Sequence, residues 1–260
     1  ELTQLKRKYG GSLESAIETL ERSRTEIAEL EGVEESRAEA QRELATALDD
    51  LGGRAGALTA RRREAAADLR RRMEAELKSL GMRSPLFEAR LGALSGEDAG
   101  FVHRDVALGA EGADTVEFYI APNVGQPAMP LARIASGGEL SRVMLALKRL
   151  EAQRRGVATM IFDEVDAGIG GAVAMVVGRK LKLLAKFHQI LCVTHLAQIA
   201  AFADRHFVVE KEERRGSTRS KVAILEESAR PGEIARMLGG EGTSDKFLRA
   251  AKELLDRARE

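Results

Sequence analysis

Apolar residues in the first eighty positions recur at steps of three, four and seven. Leu13, Ile17, Leu20, Ile27, Leu30, Leu44, Leu48 and Leu51 form one such series, and Leu58, Ala65, Leu69, Met73, Leu77 and Leu80 a second. This period puts them on one stripe of a helix with Glu and Arg around it, the pattern of a coiled-coil seam. The spacing predicts two long helices, from about Ser12 to Asp50 and from about Leu58 to Leu80. Gly52, Gly53 and Gly56 interrupt the pattern. They fit either a hairpin tip or a break in one arm whose partner helix lies elsewhere. The seam weakens between Val33 and Leu44.

After residue 80 the pattern changes. Short alternating stretches at Phe87–Leu91, Phe101–Leu108 and Thr115–Ile120 predict strands of a small antiparallel sheet joined by turns. From Leu131 onward helical and strand patterns alternate, which implies a parallel sheet with covering helices. Arg205–Glu213 and Arg219–Leu225 predict a hairpin around Gly216, followed by helices at Pro231–Leu238 and Thr243–Arg259. There is no internal repeat. The expected organisation is a coiled-coil arm over residues 1–80 and an α/β lobe over residues 81–260.

Composition narrows the function classes. Charged residues make up 32% of the chain, concentrated in the predicted arm, yet 41 basic residues balance 41 acidic ones. Zero net charge argues against a wholly basic nucleic-acid binder but leaves local basic patches open. The clusters Arg61–Arg63 and Arg70–Arg72 read either as a solvated coiled-coil face or as contacts to a DNA backbone. The single cysteine, Cys192, rules out a disulfide within the chain and fits a reducing compartment. Neither a signal peptide nor a membrane-length apolar run is present, so a cytoplasmic protein with no membrane partner is expected. The chain starts without Met and in mid-pattern, which suggests a fragment of a longer protein.

Three stretches carry candidate chemistry. Ser136-Gly137-Gly138-Glu139-Leu140-Ser141-Arg142 should open a helix running to about Arg154. Ser136 and Glu139 fit a capping box, which does not explain two adjacent glycines. Glycines at a helix start also let backbone N–H groups approach an anion, so Ser136, Gly137 and Gly138 equally fit a phosphate-facing edge. Ala158–Glu164 is an apolar run ending in two carboxylates, the pattern of a buried parallel strand. Ligand sites in such sheets lie beyond the carboxyl ends of the strands. Asp163 is placed there to hold Mg²⁺, and Glu164 to orient or deprotonate an attacking water. A strand running out into a polar loop looks similar. Val165–Gly171 supplies three glycines that permit unusual backbone angles. Gln189–His195 is a second apolar strand, and the helical stretch between the two predicts a βαβ crossover. That puts His195 at the same sheet edge as Asp163 and Glu164, as a candidate sensor of a terminal phosphate.

These residues, in this order, resemble the head of the ABC-type ATPases. Ser136–Arg142 is similar to the signature motif, Ala158–Glu164 to Walker B with Glu164 in the catalytic position, Asp166–Gly171 to the D-loop, and His195 to the switch histidine. Leu131–Arg142, Phe162–Gly171, Thr194–Ala200 and Glu233–Gly240, with Lys6–Ser12 in the arm, narrow the resemblance to the bacterial SMC-like proteins of DNA double-strand break repair. One departure matters. No G-x-x-x-x-G-K-[ST] phosphate loop and no Gly-Lys pair occurs anywhere in the chain. The resemblance implies that an N-terminal Walker A lobe supplies it, and that the arm pairs with a helix of that lobe. It further implies a homodimer whose heads sandwich ATP and Mg²⁺. In that arrangement Asp163, Glu164 and His195 act in cis, Ser136, Gly137 and Gly138 act in trans, and Glu139 and Asp166 belong to the nucleotide site. DNA is the implied partner and the nucleoid the implied place of work. The competing readings are a non-enzymatic coiled-coil module with a degenerate head, direct DNA binding through the arginine clusters, and a transporter ATPase.

Overall fold

The computed structural model describes residues 1–260 except Val124, Ala135, 152–158, 215–216, 241–243 and Glu260, and the side chains of 211–218. The described chain packs as two compact units, one formed by Glu1–Arg62 with Ala93–Thr115, the other by Arg63–Gly92 with Val116–Glu260. The sequence division at residue 80 falls elsewhere. The reason is physical: Met73 and Leu77 in the last turns of the arm helix, and Leu80 just past its end, are fully buried in the core of the second unit.

In the first unit, α1 (Leu2–Lys8) ends at Gly10 and Gly11, both at positive φ. Ser12 then caps α2, accepting from Ser15 N–H at 3.1 Å while its own N–H donates to the Ser15 hydroxyl at 3.3 Å. The next 67 residues, Leu13–Ser79, form one unbroken helix. The two helices and the break expected near residues 52–57 are therefore corrected. Glycine weakens a helix by about 1 kcal/mol, but it ends one only where the backbone turns left-handed. Gly52, Gly53 and Gly56 are not among the positive-φ glycines. Gly53 and Gly56 have no neighbour within 4 Å of a Cβ position, and only Gly52 packs near another element. A Cβ on Gly52 would sit 3.4 Å from the ring of His103, in a hairpin formed by β2 (Phe101–His103) and β3 (Val106–Leu108). Asp49 bonds both His103 Nε2 and Arg104 at 2.7 Å. Thr59 and Arg62 bond Asp114 at 2.7 and 3.2 Å. Asp49, Gly52, Ala55, Thr59 and Arg62 follow one another at steps of three and four, so they share one helix face.

This packing also bears on the arginine clusters. Arg62 is engaged with Asp114 and Glu111, while Arg70 pairs with Glu74, and Arg71 and Arg72 pair with Asp68. Four of the six are thus paired with three nearby carboxylates, which favours the solvated-face reading over a DNA contact.

In the second unit, β1 (Leu86–Ala93), β4 (Asp114–Ala121) and β5 (Met129–Pro130) form a sheet in the order β1-β4-β5. A short 3₁₀ turn, Leu131–Arg133, leads to α3 (Gly137–Glu151). Then β6 (Thr159–Phe162), α4 (Gly171–Leu184) and β7 (Gln189–Cys192) make a βαβ unit whose strands pair in parallel, Phe162 opposite Cys192. Helix α5 (Ala197–Ala200) follows, then the hairpin β8 (His206–Arg214) and β9 (Ser217–Leu225), and finally α6 (Arg230–Gly239) and α7 (Asp245–Arg259). The turn expected at Gly216, the helix end near Arg154, the start of the apolar run at Ala158 and the helix start at Thr243 lie outside the described residues.

One core joins Met73, Leu77, Leu80 and Phe87 to Val143 and Leu145 of α3, Phe162 of β6 and Val177 and Leu184 of α4. Each large side chain buried there contributes about 1.5–3 kcal/mol. A half-buried ion pair between Glu76 and Lys180 ties the end of α2 to α4. A second cluster packs α5, α6 and α7 together. Arg230 is buried beside it and donates to the carbonyls of Ala201 and Ala203 at 3.3 and 2.9 Å, closing the chain just after α5. Gly178 lets α4 meet this region: a Cβ there would lie 2.4 Å from the Phe202 ring and 3.1 Å from the Gln198 carbonyl. Because one of those neighbours is backbone, Gly178→Ala is expected to lower stability by about 1–3 kcal/mol, read as a drop in thermal midpoint.

Candidate functional site

The site forms at the carboxyl ends of β6 and β7. Parallel pairing in register brings the two strand ends level, and Val193 N–H still donates to the Phe162 carbonyl at 2.9 Å. Asp163 and Glu164 therefore leave the sheet beside Thr194 and His195. Asp163 is exposed, and its Oδ1 accepts from Glu164 N–H at 2.9 Å. Glu164 has φ 55°, the left-handed region that a non-glycine residue adopts at a cost. The kink turns its exposed carboxylate toward the start of α3: a Cβ on Gly137 would stand 2.5 Å from Glu164 Oε2.

Helix α3 is held against the 163–167 loop by several side chains. Ser141 donates its hydroxyl to the Asp163 carbonyl at 2.7 Å. Arg142 is buried and donates to the carbonyls of Val165 and Ala167 at 3.4 and 2.7 Å. Burial pushes the Arg142 guanidinium below its ordinary value, and nearby Glu139 partly offsets this. Gly138 is buried where a Cβ would meet the Ala167 side chain at 2.6 Å and the Glu164 carbonyl at 2.9 Å, so only glycine fits. Ser136 is exposed and caps the helix, its hydroxyl accepting from Glu139 N–H at 3.4 Å. The capping reading of this motif thus has its bond, while Ser136 and Gly137 stay open to solvent.

Asp166, unlike Asp163 and Glu164, is buried. It is 4% exposed, and its Oδ2 accepts from the Thr194 hydroxyl at 2.5 Å and from His195 N–H at 3.0 Å. The same oxygen lies 3.1 Å from His195 Nδ1. The His195 ring is largely exposed. Cys192 lies close by at the end of β7, where burial, and then the charges of Asp166 and Asp163, push its thiol up to about 12; it is an inert, protonated thiol.

The structure brings Asp163, Glu164, Asp166 and His195 to one edge, with Ser136, Gly137, Gly138 and Glu139 alongside. Arg142 and Thr194 were not singled out from the sequence. A buried position for Arg142 is hinted at by the apolar Val143, Leu145 and Ala146 that follow it; nothing near Thr194 signals its bond. Among the described residues no three His, Cys, Asp or Glu side chains converge as a metal cage. The exposed carboxylate of Asp163 at a strand end suits a Mg²⁺ that keeps most of its water and takes its other ligands from a phosphate chain. Shallow clefts run along Asp245–Glu253 of α7 and at Glu1–Lys8.

Fold and site together define an α/β lobe with a long helical arm, its candidate residues gathered at the carboxyl ends of a parallel strand pair. No protein-family model matches the chain. Among curated proteins it is 37% identical to DNA repair protein RecN of Bacillus subtilis over 262 residues, 99% of this chain and 46% of that protein. It is 47% identical to RecN of Streptomyces coelicolor over 213 residues, 81% of this chain and 37% of that protein. It is 40% identical to RecN of Mycobacterium tuberculosis over 274 residues, 99% of this chain and 45% of that protein. In sequence the chain is RecN-type. It corresponds to the C-terminal part of RecN and spans about half the length of the curated relatives it matches. Two solved structures are similar at lower level. One is the Smc head domain with a coiled coil and joint from Pyrococcus yayanosii (TM-score 0.45, 18% identity, 99% of this chain and 41% of that one). The other is the SMC head domain from Thermotoga maritima (TM-score 0.30, 21% identity, 66% and 52%). Among the described residues no helix is long and apolar enough to cross a membrane.

Proposed function

We propose that this chain is the half of a RecN-type ATPase head that carries the hydrolytic residues, acting in DNA double-strand break repair in the cytoplasm, at the nucleoid. The observation that carries the reading is the convergence of Asp163, Glu164 and His195 at one edge of a parallel strand pair, beside the glycine start of α3. Asp163 is the residue that would hold Mg²⁺. Bound with ATP, the ion supplies charge neutralisation along the phosphates. Glu164 orients the attacking water and takes its proton. His195 contacts the reacting end of the phosphate chain. Ser136, Gly137 and Gly138, with Glu139 behind them, present the start of α3 to a nucleotide held by a second molecule. The phosphate loop comes from the other half of the protein, and without it the chain is inactive. DNA is the macromolecule on which the assembled heads act.

A second observation supports the missing half. Buried parallel strands are covered on both faces, yet Ile161 is 73% exposed and Val193, just past the end of β7, 62%. Leu191 is exposed on β7 as well. This apolar face suits the lobe that carries the phosphate loop. Val193→Asp would bury an unpaired charge there and is expected to weaken association with the N-terminal half of RecN by roughly tenfold or more. The measurement is a titration of one half with the other. The chain's own thermal midpoint should not move, because Val193 is already exposed. Unchanged association would remove this face from the interface.

A further inference from the structure

We infer that Asp166 is a positioning residue for His195: it holds the proton of the neutral ring on Nδ1 and leaves Nε2 as the working nitrogen. The functional consequence rests on the ATPase reading above, whereas the geometry does not. A carboxylate oxygen can only accept. Asp166 Oδ2 already takes the Thr194 hydroxyl and the His195 backbone N–H, and His195 Nδ1 lies 3.1 Å from the same oxygen. A bare ring nitrogen at that distance would set its lone pair against those of the carboxylate, so the contact favours the tautomer that carries the proton on Nδ1. Thr194 completes the clamp, since its hydroxyl accepts from Leu196 N–H at 3.0 Å and so directs its own proton to Asp166. The acceptor is buried, so Nδ1 is the nitrogen on the protein side, while the side chain as a whole is 75% exposed. This is how a hydrogen bond at one ring nitrogen selects the role of the other.

The arrangement sets what His195 can do. With the ring neutral, Nε2 is an acceptor, suited to a water and not to a bare phosphate oxygen. With the ring protonated, Nε2 becomes a donor suited to a phosphate oxygen, and Asp166 balances the charge. Without Asp166 the ring is free to turn and to place its proton on either nitrogen.

The test is nitrogen NMR of the full chain labelled with ¹⁵N-histidine, at about pH 9, above the ordinary histidine range. The four histidines allow assignment of His195 by its loss in His195→Gln. In the unmodified chain the His195 Nδ1 is expected as the protonated nitrogen and Nε2 as the bare one. Thr194→Val should keep this pattern. Asp166→Ala should move the proton to Nε2. A neutral His195 protonated at Nε2 in the unmodified chain overturns the proposal, whether or not the alanine variant folds. So does an unchanged pattern in folded Asp166→Ala. A second readout uses the chain assembled with the N-terminal half of RecN. There Asp166→Ala should lower turnover to within about threefold of His195→Ala, and the double variant should fall no further. Independent, multiplying losses would overturn the positioning role. Absence of turnover in the unmodified assembly would count against the ATPase reading, and the tautomer would then decide this proposal alone.

Discussion

Glu164→Gln, in the chain assembled with its N-terminal half, is expected to keep ATP binding and to lower hydrolysis by about a hundredfold or more. Glutamine matches glutamate in size, so the left-handed kink at residue 164 and the Glu164 N–H bond to Asp163 should persist. Val165 and Asp166, both buried just beyond it, anchor the kink from the other side. The substitution therefore removes only the capacity to accept a proton. Head association in ATP should lengthen, because in the proposed sandwich the uncleaved terminal phosphate keeps both heads engaged. Single-turnover hydrolysis and the lifetime of the ATP-bound dimer measure the two effects. Normal turnover by the variant would remove Glu164 from the role of base.

Ser136→Arg should have the largest effect on assembly. Ser136 is exposed at the N-terminus of α3, and its hydroxyl makes only one long capping bond. Losing that bond costs about 1 kcal/mol of helix stability, well short of unfolding. At a closed interface, however, the new side chain would be a bulky, unmatched charge. Burying it costs roughly 3–5 kcal/mol, more than about a hundredfold in association. ATP-dependent dimerisation should be lost while ATP binding by a single assembled head remains. Unchanged dimerisation, followed by light scattering, would sink the in-trans role of the α3 start.

These two residues were visible in the sequence because their neighbours carry the signal. A glycine pair opening a helix and an apolar strand ending in two carboxylates are local patterns, and local patterns survive without coordinates. Most elements of the lobe were legible for the same reason: β1, β4, β8, β9 and α6 lie within a residue or two of the alternation or helical period that predicted them. The arm was misread at Gly52, Gly53 and Gly56. Glycine lowers helix propensity without by itself ending a helix, and only at Gly52 does a neighbour, the ring of His103, pack close. The turn inside Phe101–Leu108 was missed because Arg104 and Asp105 take positive φ, a role usually given to glycine or asparagine. Asp166 is the instructive case. Its position in the glycine loop suggests a ligand contact, but its partners Thr194 and His195 lie 28 and 29 residues away, and only strand pairing brings them together. No spacing rule reveals that the carboxylate turns inward.

The central claim is that this chain supplies the hydrolytic edge of a split site and that the phosphate loop comes from elsewhere. The most direct measurement is ATP turnover by the chain alone, by an N-terminal RecN half alone, and by the two combined. The account predicts silence from each half and turnover from the mixture, abolished by Glu164→Gln. No turnover from a mixture whose halves are shown to associate would contradict it, and would make the chain a degenerate head serving as an interaction module.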